Sequence, residues 1–176
     1  RRRALCAAGR VDYGDPFDLT PRLAGVEVLG ASSDHTILDV EDAAVPVRLG
    51  DALDFGAKRI GHGHHIYDDP SLWPRAIRQG VTLEICPTSN IQCHTQPSYR
   101  AHPAKKLLDA GLRLCINTDN MTLAAVNLPE EYRHCTQDMG FTSDDLKKTL
   151  VYAAEATFLP EEKKKALIAR VKNAEL

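Results

Sequence analysis

Residues 58–90, which read KRIGHGHHIYDDPSLWPRAIRQGVTLEICPTSN, decide how this chain is expected to fold. The stretch opens with a short predicted strand, Lys58–His62, that breaks into a turn of glycine and histidine. A segment typical of a helix, Pro70–Gln79, then ends at a glycine, and the apolar run Val81–Ile85 ends at Pro87. A strand, a helix and a second strand in this order predict two parallel strands joined by a crossover helix.

The same alternation continues on both sides of this unit. Upstream, the β-branched run Thr36–Val40 precedes apolar residues at helical spacing over Arg48–Phe55. Downstream, a helix is expected over Pro103–Ala110 and a fourth strand over Leu112–Asn117. Short, apolar strands of this kind are typical of a parallel sheet covered by helices. Each of these strands ends in polar residues, and in an α/β barrel the carboxyl ends of the strands form the active face.

The two ends of the chain differ from this middle part. The last third is predicted to form three helices, over residues 128–139, 144–157 and 161–175. Residues 1–35 contain scattered glycine, proline and aspartate and little periodicity, and we interpret them as an irregular leading segment with one short strand possible at Gly25–Leu29. The chain begins with Arg rather than Met, and we expect it to be a fragment of a longer protein.

Composition excludes several classes of protein. The 176 residues carry 22 Lys and Arg and 24 Asp and Glu, a net charge of −2, which argues against a partner held through nucleic-acid phosphates. No apolar run reaches the roughly 18–20 residues of a membrane span. The five cysteines are widely spaced and odd in number, which is typical of reduced thiols rather than of a disulfide framework. We therefore expect a cytoplasmic protein without nucleic-acid or membrane partners.

Three polar residues at predicted strand ends are candidates for chemistry. His62 lies between two glycines that leave room for a ligand, and its imidazole can donate, accept or bind metal near neutral pH. Asp119 follows the last apolar strand, where a carboxylate can hold a metal or a water molecule. Glu41 follows Thr36–Val40, and a partly buried glutamate can act as a general acid. Each residue alone also fits a surface turn or a helix cap.

Other polar residues are interpreted as structural. Pro87 fixes the turn after its strand, so Thr88, Ser89 and Asn90 are taken as architecture rather than chemistry. Four further histidines show no partner pattern and are expected at the surface or in helix caps: His35, His94, His102 and His134.

Five motifs follow one another in a recognisable order: residues 59–63, 83–90, 116–119, 138–142 and 158–164. Their order and spacing resemble the carboxyl-terminal half of the metal-dependent adenosine deaminases, and of bacterial members in particular, over about Thr36 to Val171. The resemblance implies an α/β fold in which residues 36–176 form the carboxyl-terminal half of a (β/α)₈ barrel of the TIM type, with parallel strands, outer helices and extra carboxyl-terminal helices. It also implies zinc-dependent hydrolysis of adenosine to inosine and ammonia in purine metabolism.

The resemblance assigns a role to each matching residue. Asp119 matches the zinc-ligating aspartate, which also accepts a hydrogen bond from the attacking water. His62 matches the histidine that orients this water and stabilises the developing charge. Glu41 matches the glutamate that protonates ring N1 of the purine. Asn120 lies where many members have an aspartate that contacts N7, and Gly25 matches a glycine whose amide meets the purine.

The chain also departs from the family pattern. No His-x-His pair precedes Glu41, and Leu38 replaces the histidine that would be a further zinc ligand, so only Asp119 remains of the expected ligands. We therefore expect an incomplete Zn²⁺ site and no zinc-dependent activity in the isolated chain. Two alternatives stay open: a deaminase of another aminopurine such as adenine or AMP, or a non-catalytic truncated homologue that self-associates through an exposed half-barrel edge.

Overall fold

The computed structural model describes residues 27–29, 37–40 and 45–174, and these contain one five-stranded sheet. The strands lie side by side in chain order: β1 Glu27–Leu29, β2 Ile37–Val40, β3 Arg59–His62, β4 Thr82–Ile85 and β5 Arg113–Ile116. The pairs β2–β3, β3–β4 and β4–β5 are parallel, which confirms the four predicted parallel strands. The short strand expected within Gly25–Leu29 is present as β1, but it pairs with β2 in the antiparallel direction.

Helices follow each parallel strand and continue after the last one. The α-helices are α1 Val45–Asp54, α2 Trp73–Gln79, α3 Pro87–Gln92, α4 Ala104–Asp109, α5 Met121–Ala124, α6 Leu128–Gln137, α7 Ser143–Glu155 and α8 Glu161–Asn173. Short 3₁₀ helices span His64–Asp68, Pro70–Leu72 and Tyr99–Ala101. In the part of the chain that the structure describes, no helix has the length and apolar character needed to cross a membrane.

Two predicted boundaries need correction. The helix expected from Pro70 begins at Trp73, because residues 70–72 form a separate 3₁₀ turn. Pro87 does not merely end a strand in a turn, because it lies in the first turn of α3. Proline is well suited to that position, since it lacks the backbone N–H that would have no partner there. Thr88, Ser89 and Asn90 are consequently presented by a helix.

The core lies between the sheet and its helices. Strand side chains alternate between two faces, and on one face Ile60, Leu83, Ile85 and Leu114 are buried against apolar residues of the helices, such as Leu107 of α4. The other face of the same strands carries polar and small residues, namely Arg59, Gly61, Glu84, Cys115 and Asn117. The sheet therefore has one apolar face that holds the fold together and one polar face that is available for a site.

Ion pairs and aromatic rings occupy part of the polar face. Arg59 pairs with Glu84 of the neighbouring strand, and its guanidinium lies 5.0 Å from the centre of the Phe158 ring. Arg113 pairs with Glu155 of α7 at 2.7 Å and also lies over an aromatic ring of that helix. These contacts fasten α7 and Phe158 to the sheet.

Candidate active site

The carboxyl ends of β3, β4 and β5 surround a cleft of about 240 Å³. Both His62 and Asp119 line it, so the structure brings together two of the residues that the sequence placed on one rim. The remaining lining residues are Arg59, Gly61, Glu84, Cys86 and Asn117. The ion pair between Arg59 and Glu84 thus lies in the wall of the same cleft.

His62 is held in a strained backbone conformation. It is the last residue of β3 and has a φ of 52°, in the left-handed region that a histidine seldom adopts. Gly63 follows with a φ of 61°, and a Cβ atom there would lie 2.9 Å from the Leu83 side chain. Glycine avoids both the unfavourable φ and this close contact in the turn that redirects the chain from β3 into the 3₁₀ helix. Strain of this kind is concentrated at functional sites, where the surrounding structure enforces it.

A buried hydrogen-bond chain fixes the His62 ring. The Asn90 Nδ2 atom lies 2.8 Å from His62 Nδ1, and the Asn90 Oδ1 atom lies 3.1 Å from His102 Nε2. The backbone N–H of Ala104 donates to His102 Nδ1 at 3.2 Å. Of the two positions expected for His102, the surface or a helix cap, the structure shows the second: its ring is buried, Nδ1 accepts from the first N–H of α4, and Nε2 faces Asn90. Asn90, taken from the sequence as architecture, contacts a candidate catalytic side chain.

Asp119 is positioned by α3. It follows β5 with a φ of 55°, and its Oδ2 accepts a hydrogen bond of 2.7 Å from the Ser89 hydroxyl. Aspartate tolerates the left-handed region better than most residues. From the sequence, Ser89 is interpreted as architecture rather than chemistry. The signal for it was present, since it is one of the polar residues that follow the strand Val81–Ile85.

Glu131 anchors the amino end of α3. Its fully buried carboxylate accepts from the Thr88 backbone N–H at 3.1 and 3.3 Å, at the positive end of the helix dipole. Burial raises the pKa of Glu131, although this hydrogen bond opposes the shift. The Thr88 hydroxyl also bonds the Tyr99 hydroxyl at 2.8 Å. These contacts fix the helix from which Ser89 and Asn90 reach the cleft residues Asp119 and His62.

The other predicted site residues fall into two groups. Asn120 lies on the rim and caps α5, because its Oδ1 accepts from the N–H groups of Thr122 and Leu123 at 3.1 and 3.0 Å. This leaves its amide nitrogen as the donor that a ligand could meet. Glu41 and Gly25 lie outside the described residues, so their predicted roles stay predictions.

The described residues do not fit a zinc site on their own. Asp119 offers a carboxylate, but the described part of the chain contains no group of three or more His, Cys, Asp or Glu residues placed to hold a metal. A catalytic zinc ion has three protein ligands. His62 uses Nδ1 to accept from Asn90, and Leu38 in β2 has no atom that can coordinate a metal. Further ligands would have to come from outside the described residues.

The fold and the motifs have clear relatives. The family model described as adenosine deaminase matches residues 38–174. The chain belongs to the adenosine deaminase family. An adenosine deaminase of Vibrio cholerae is 34% identical over 137 residues, which cover 77% of this chain and 41% of that protein. An adenine deaminase of Agrobacterium fabrum is 34% identical over 168 residues, which cover 94% of this chain and 49% of that protein.

Solved structures show the same architecture. An adenine deaminase from Arthrobacter aurescens matches with a TM-score of 0.73 at 21% identity, covering 77% of this chain and 42% of that one. An amidohydrolase from Burkholderia ambifaria, solved with bound Zn, matches with a TM-score of 0.71 at 27% identity, covering 78% and 39%. This adenosine deaminase family chain therefore spans less than half the length of the relatives it matches. These relatives are named for different aminopurines, so family membership does not fix the substrate.

Proposed function

We propose that this chain supplies the carboxyl-terminal wall of an aminopurine deaminase site and that its substrate is adenosine, which is converted to inosine and ammonia. The observation that carries the proposal is the convergence of His62 and Asp119 on one cleft at the carboxyl ends of the strands. Membership of the adenosine deaminase family supports it. In α/β barrels this end of the strands is where active sites are built.

The reaction places particular demands on these side chains. Hydrolytic deamination adds water at C6 of the purine and expels the amino group as ammonia. Asp119, fixed by the Ser89 hydroxyl, would accept a hydrogen bond from the attacking water. His62 would donate from Nε2 to the oxygen on which charge develops. Hydrogen bonds aimed at developing charge are among the largest contributions to catalysis.

The remaining proposed roles concern the purine itself. Glu41 would protonate N1, which makes C6 more electrophilic and requires a carboxyl group that is neutral in the complex. The Gly25 amide would meet the ring. Asn120 would donate its amide N–H to N7, since its carbonyl oxygen is used in capping α5.

Zinc belongs to the proposal only with ligands beyond the described residues. Because these residues provide Asp119 alone, we expect the purified chain to hold far less than one equivalent of zinc and to release no ammonia from adenosine. Elemental analysis and a coupled ammonia assay measure both quantities. Stoichiometric zinc together with inosine production would contradict this expectation.

A chimera tests the function directly. Residues 59–174 of this chain would replace the matching part of the Vibrio cholerae adenosine deaminase, which supplies the first half of the barrel. We expect the zinc-loaded chimera to convert adenosine to inosine and Asp119→Asn to abolish this activity. The matched control is Asp144→Asn, the same chemical change at an exposed position in α7. A folded, zinc-loaded chimera that deaminates none of adenosine, adenine and AMP would overturn the proposal.

Adenine is the second candidate substrate. The adenine deaminase of Agrobacterium fabrum matches 94% of this chain, whereas the adenosine deaminase of Vibrio cholerae matches 77%. A second chimera takes the first half of the barrel from the Agrobacterium fabrum adenine deaminase, and both chimeras are assayed with both substrates at equal concentration. A ratio of kcat/KM values that favours the same substrate in both chimeras is due to residues 59–174. A preference for adenine would move the substrate assignment without changing the reaction class.

A further inference from the structure

The hydrogen-bond chain behind His62 has a direction. It begins at the backbone N–H of Ala104, which can only donate, so His102 Nδ1 must accept. A neutral imidazole with an accepting Nδ1 carries its proton on Nε2. That N–H faces Asn90, 3.1 Å away, and therefore requires the amide oxygen of Asn90 on its side.

The amide then transmits this direction to His62. With its oxygen turned toward His102, Asn90 presents its NH₂ group to His62 Nδ1 at 2.8 Å. His62 Nδ1 must accept, and a neutral His62 ring must carry its proton on Nε2. A single backbone N–H thus determines which nitrogen of a distant histidine is protonated.

The surroundings keep the side chains of this hydrogen-bonded series from reorienting. His102 and Asn90 are only 4% and 2% exposed, and burial lowers the pKa of His102 to about 4, so its ring is neutral at pH 7. The Asn90 backbone carbonyl accepts from the N–H groups of Thr95 and Gln96 at 3.0 and 3.1 Å and from the Thr95 hydroxyl at 2.9 Å. Neither the backbone nor the side chain of Asn90 is free to turn.

We propose that Asn90 and His102 are positioning residues that hold His62 as its Nε2–H tautomer, with the proton on the ring nitrogen opposite Asn90. His62 lines the cleft, and Asn90 takes its Nδ1 side. The use of this proton to stabilise charge on the reacting oxygen rests on the proposed function. The tautomer itself follows from the hydrogen bonds alone.

Nuclear magnetic resonance can determine the tautomer of His62 in the unsubstituted chain. Long-range ¹H–¹⁵N correlation spectra of the ¹⁵N-labelled chain at pH 7 distinguish a protonated ring nitrogen from an unprotonated one. Comparison with His62→Gln identifies the signals of His62. We expect Nε2 to be protonated and Nδ1 to be unprotonated. A protonated Nδ1 or an averaged pair of tautomers in the unsubstituted chain would overturn the proposal.

A nearly isosteric substitution inverts the last hydrogen bond. In Asn90→Asp both side-chain oxygens accept, so His62 Nδ1 should become protonated. Asn127→Asp makes the same chemical change at the exposed cap of α6, where aspartate also caps well, and should leave the His62 signals unchanged. An unprotonated His62 Nδ1 in the Asn90→Asp protein would contradict the proposal that Asn90 sets the tautomer of His62.

Activity gives a separate reading in the chimera. Asn90→Asp should lower kcat by roughly 10²–10⁴-fold, the range expected when a catalytic histidine holds its proton on the wrong nitrogen, with a smaller change in KM. The two proposals can fail independently. An Nε2–H tautomer of His62 in an inactive chimera would overturn the proposed function. An Nδ1–H tautomer in an active chimera would overturn the proposal that Asn90 and His102 set the tautomer.

Discussion

The two ends of the polar sheet face use polar residues in opposite ways. At the amino end, Arg113 pairs with Glu155 and is covered by an aromatic ring of α7, so its charge is neutralised within the fold. At the carboxyl end, His62 and Asp119 line an open cleft and both adopt left-handed backbone conformations. Paired and covered charges fasten elements together, whereas polar groups held under strain in a cleft are available to a ligand. Residues that stabilise the fold and residues that can take part in chemistry therefore lie at opposite ends of parallel strands that are only four residues long.

Acid should affect the carboxyl end most strongly. His64 is fully buried, neither of its ring nitrogens has a hydrogen-bond partner among the described residues, and burial lowers its pKa to about 2. The pKa of His102 is lowered to about 4. Both rings are neutral in the folded chain, but in the unfolded chain they bind protons below the ordinary value of 6.5, so stability present above pH 6.5 is lost as the pH falls.

The expected loss at pH 5 is about 2 kcal/mol for each ring, or about 4 kcal/mol together. Urea denaturation at pH 7 and pH 5 measures it. His64→Leu removes one of the two groups and should cut the difference between the two pH values by about half. An equal pH difference in the His64→Leu chain would show that the buried rings are not its source.

A side chain at Gly63, in the turn after β3, should lower the stability of the fold. Gly63→Ala should lower the free energy of unfolding by about 3 kcal/mol, because the new Cβ meets both an unfavourable φ and the Leu83 side chain. Gly80→Ala is the matched control, since Gly80 has a similar φ of 65° but no atom within 4 Å of the added Cβ. It should lose only about 1 kcal/mol. Equal losses at the two positions would show that close packing at Gly63 contributes nothing.

The ion pair between Arg59 of β3 and Glu84 of β4 should stabilise the fold mainly because each charge neutralises the other. Arg59→Met leaves the Glu84 carboxylate partly buried without its partner and should cost about 2 kcal/mol. The double substitution Arg59→Met with Glu84→Leu removes both charges and should recover most of this loss. Thermal or urea denaturation of the three proteins decides the matter. A double variant as unstable as the single one would assign the loss to packing of the arginine stem instead.

Ser89 should show the smallest effect on stability. Ser89→Ala removes one hydrogen bond to Asp119 and should change the free energy of unfolding by about 1 kcal/mol. In the chimera the same change should reduce kcat roughly 10-fold, because the Asp119 carboxylate loses the group that orients it. Ser143→Ala, at an exposed position in the first turn of α7, is the matched control and should leave kcat unchanged. An unaltered kcat for Ser89→Ala would remove Ser89 from the site.

The sequence predicted the sheet well because its strands are defined locally. Val81–Ile85 and Leu112–Asn117 are largely apolar runs, and Lys58–His62 is a short segment that breaks into a turn of glycine and histidine. The structure places β4, β5 and β3 within these three segments. The alternating pattern also located His62 and Asp119 at strand ends on one rim. Local sequence signals were sufficient there because the residue at a strand end is identified by the same few residues that define the strand.

The supporting residues could not be predicted in the same way. Asn90 lies 28 residues from His62, and Glu131 lies 43 residues from Thr88, so only the folded chain brings each pair together. Pro87 is equally consistent with a turn and with the first turn of a helix, and this ambiguity concealed α3. His102 showed no motif because its partners are a backbone N–H and an amide, neither of which leaves a spacing pattern.

The most direct test of the division between the two ends is kcat for ammonia release from adenosine by the chimera, measured per zinc-loaded, folded molecule for one variant at each end. Asp119→Asn, at the carboxyl end, should lower kcat by at least roughly 10³-fold while the chimera stays folded. Arg113→Met, at the amino end, should lower the unfolding temperature and keep kcat within about 3-fold of the unsubstituted chimera. Retained activity in Asp119→Asn, or an equally large loss of kcat in Arg113→Met, would contradict the account.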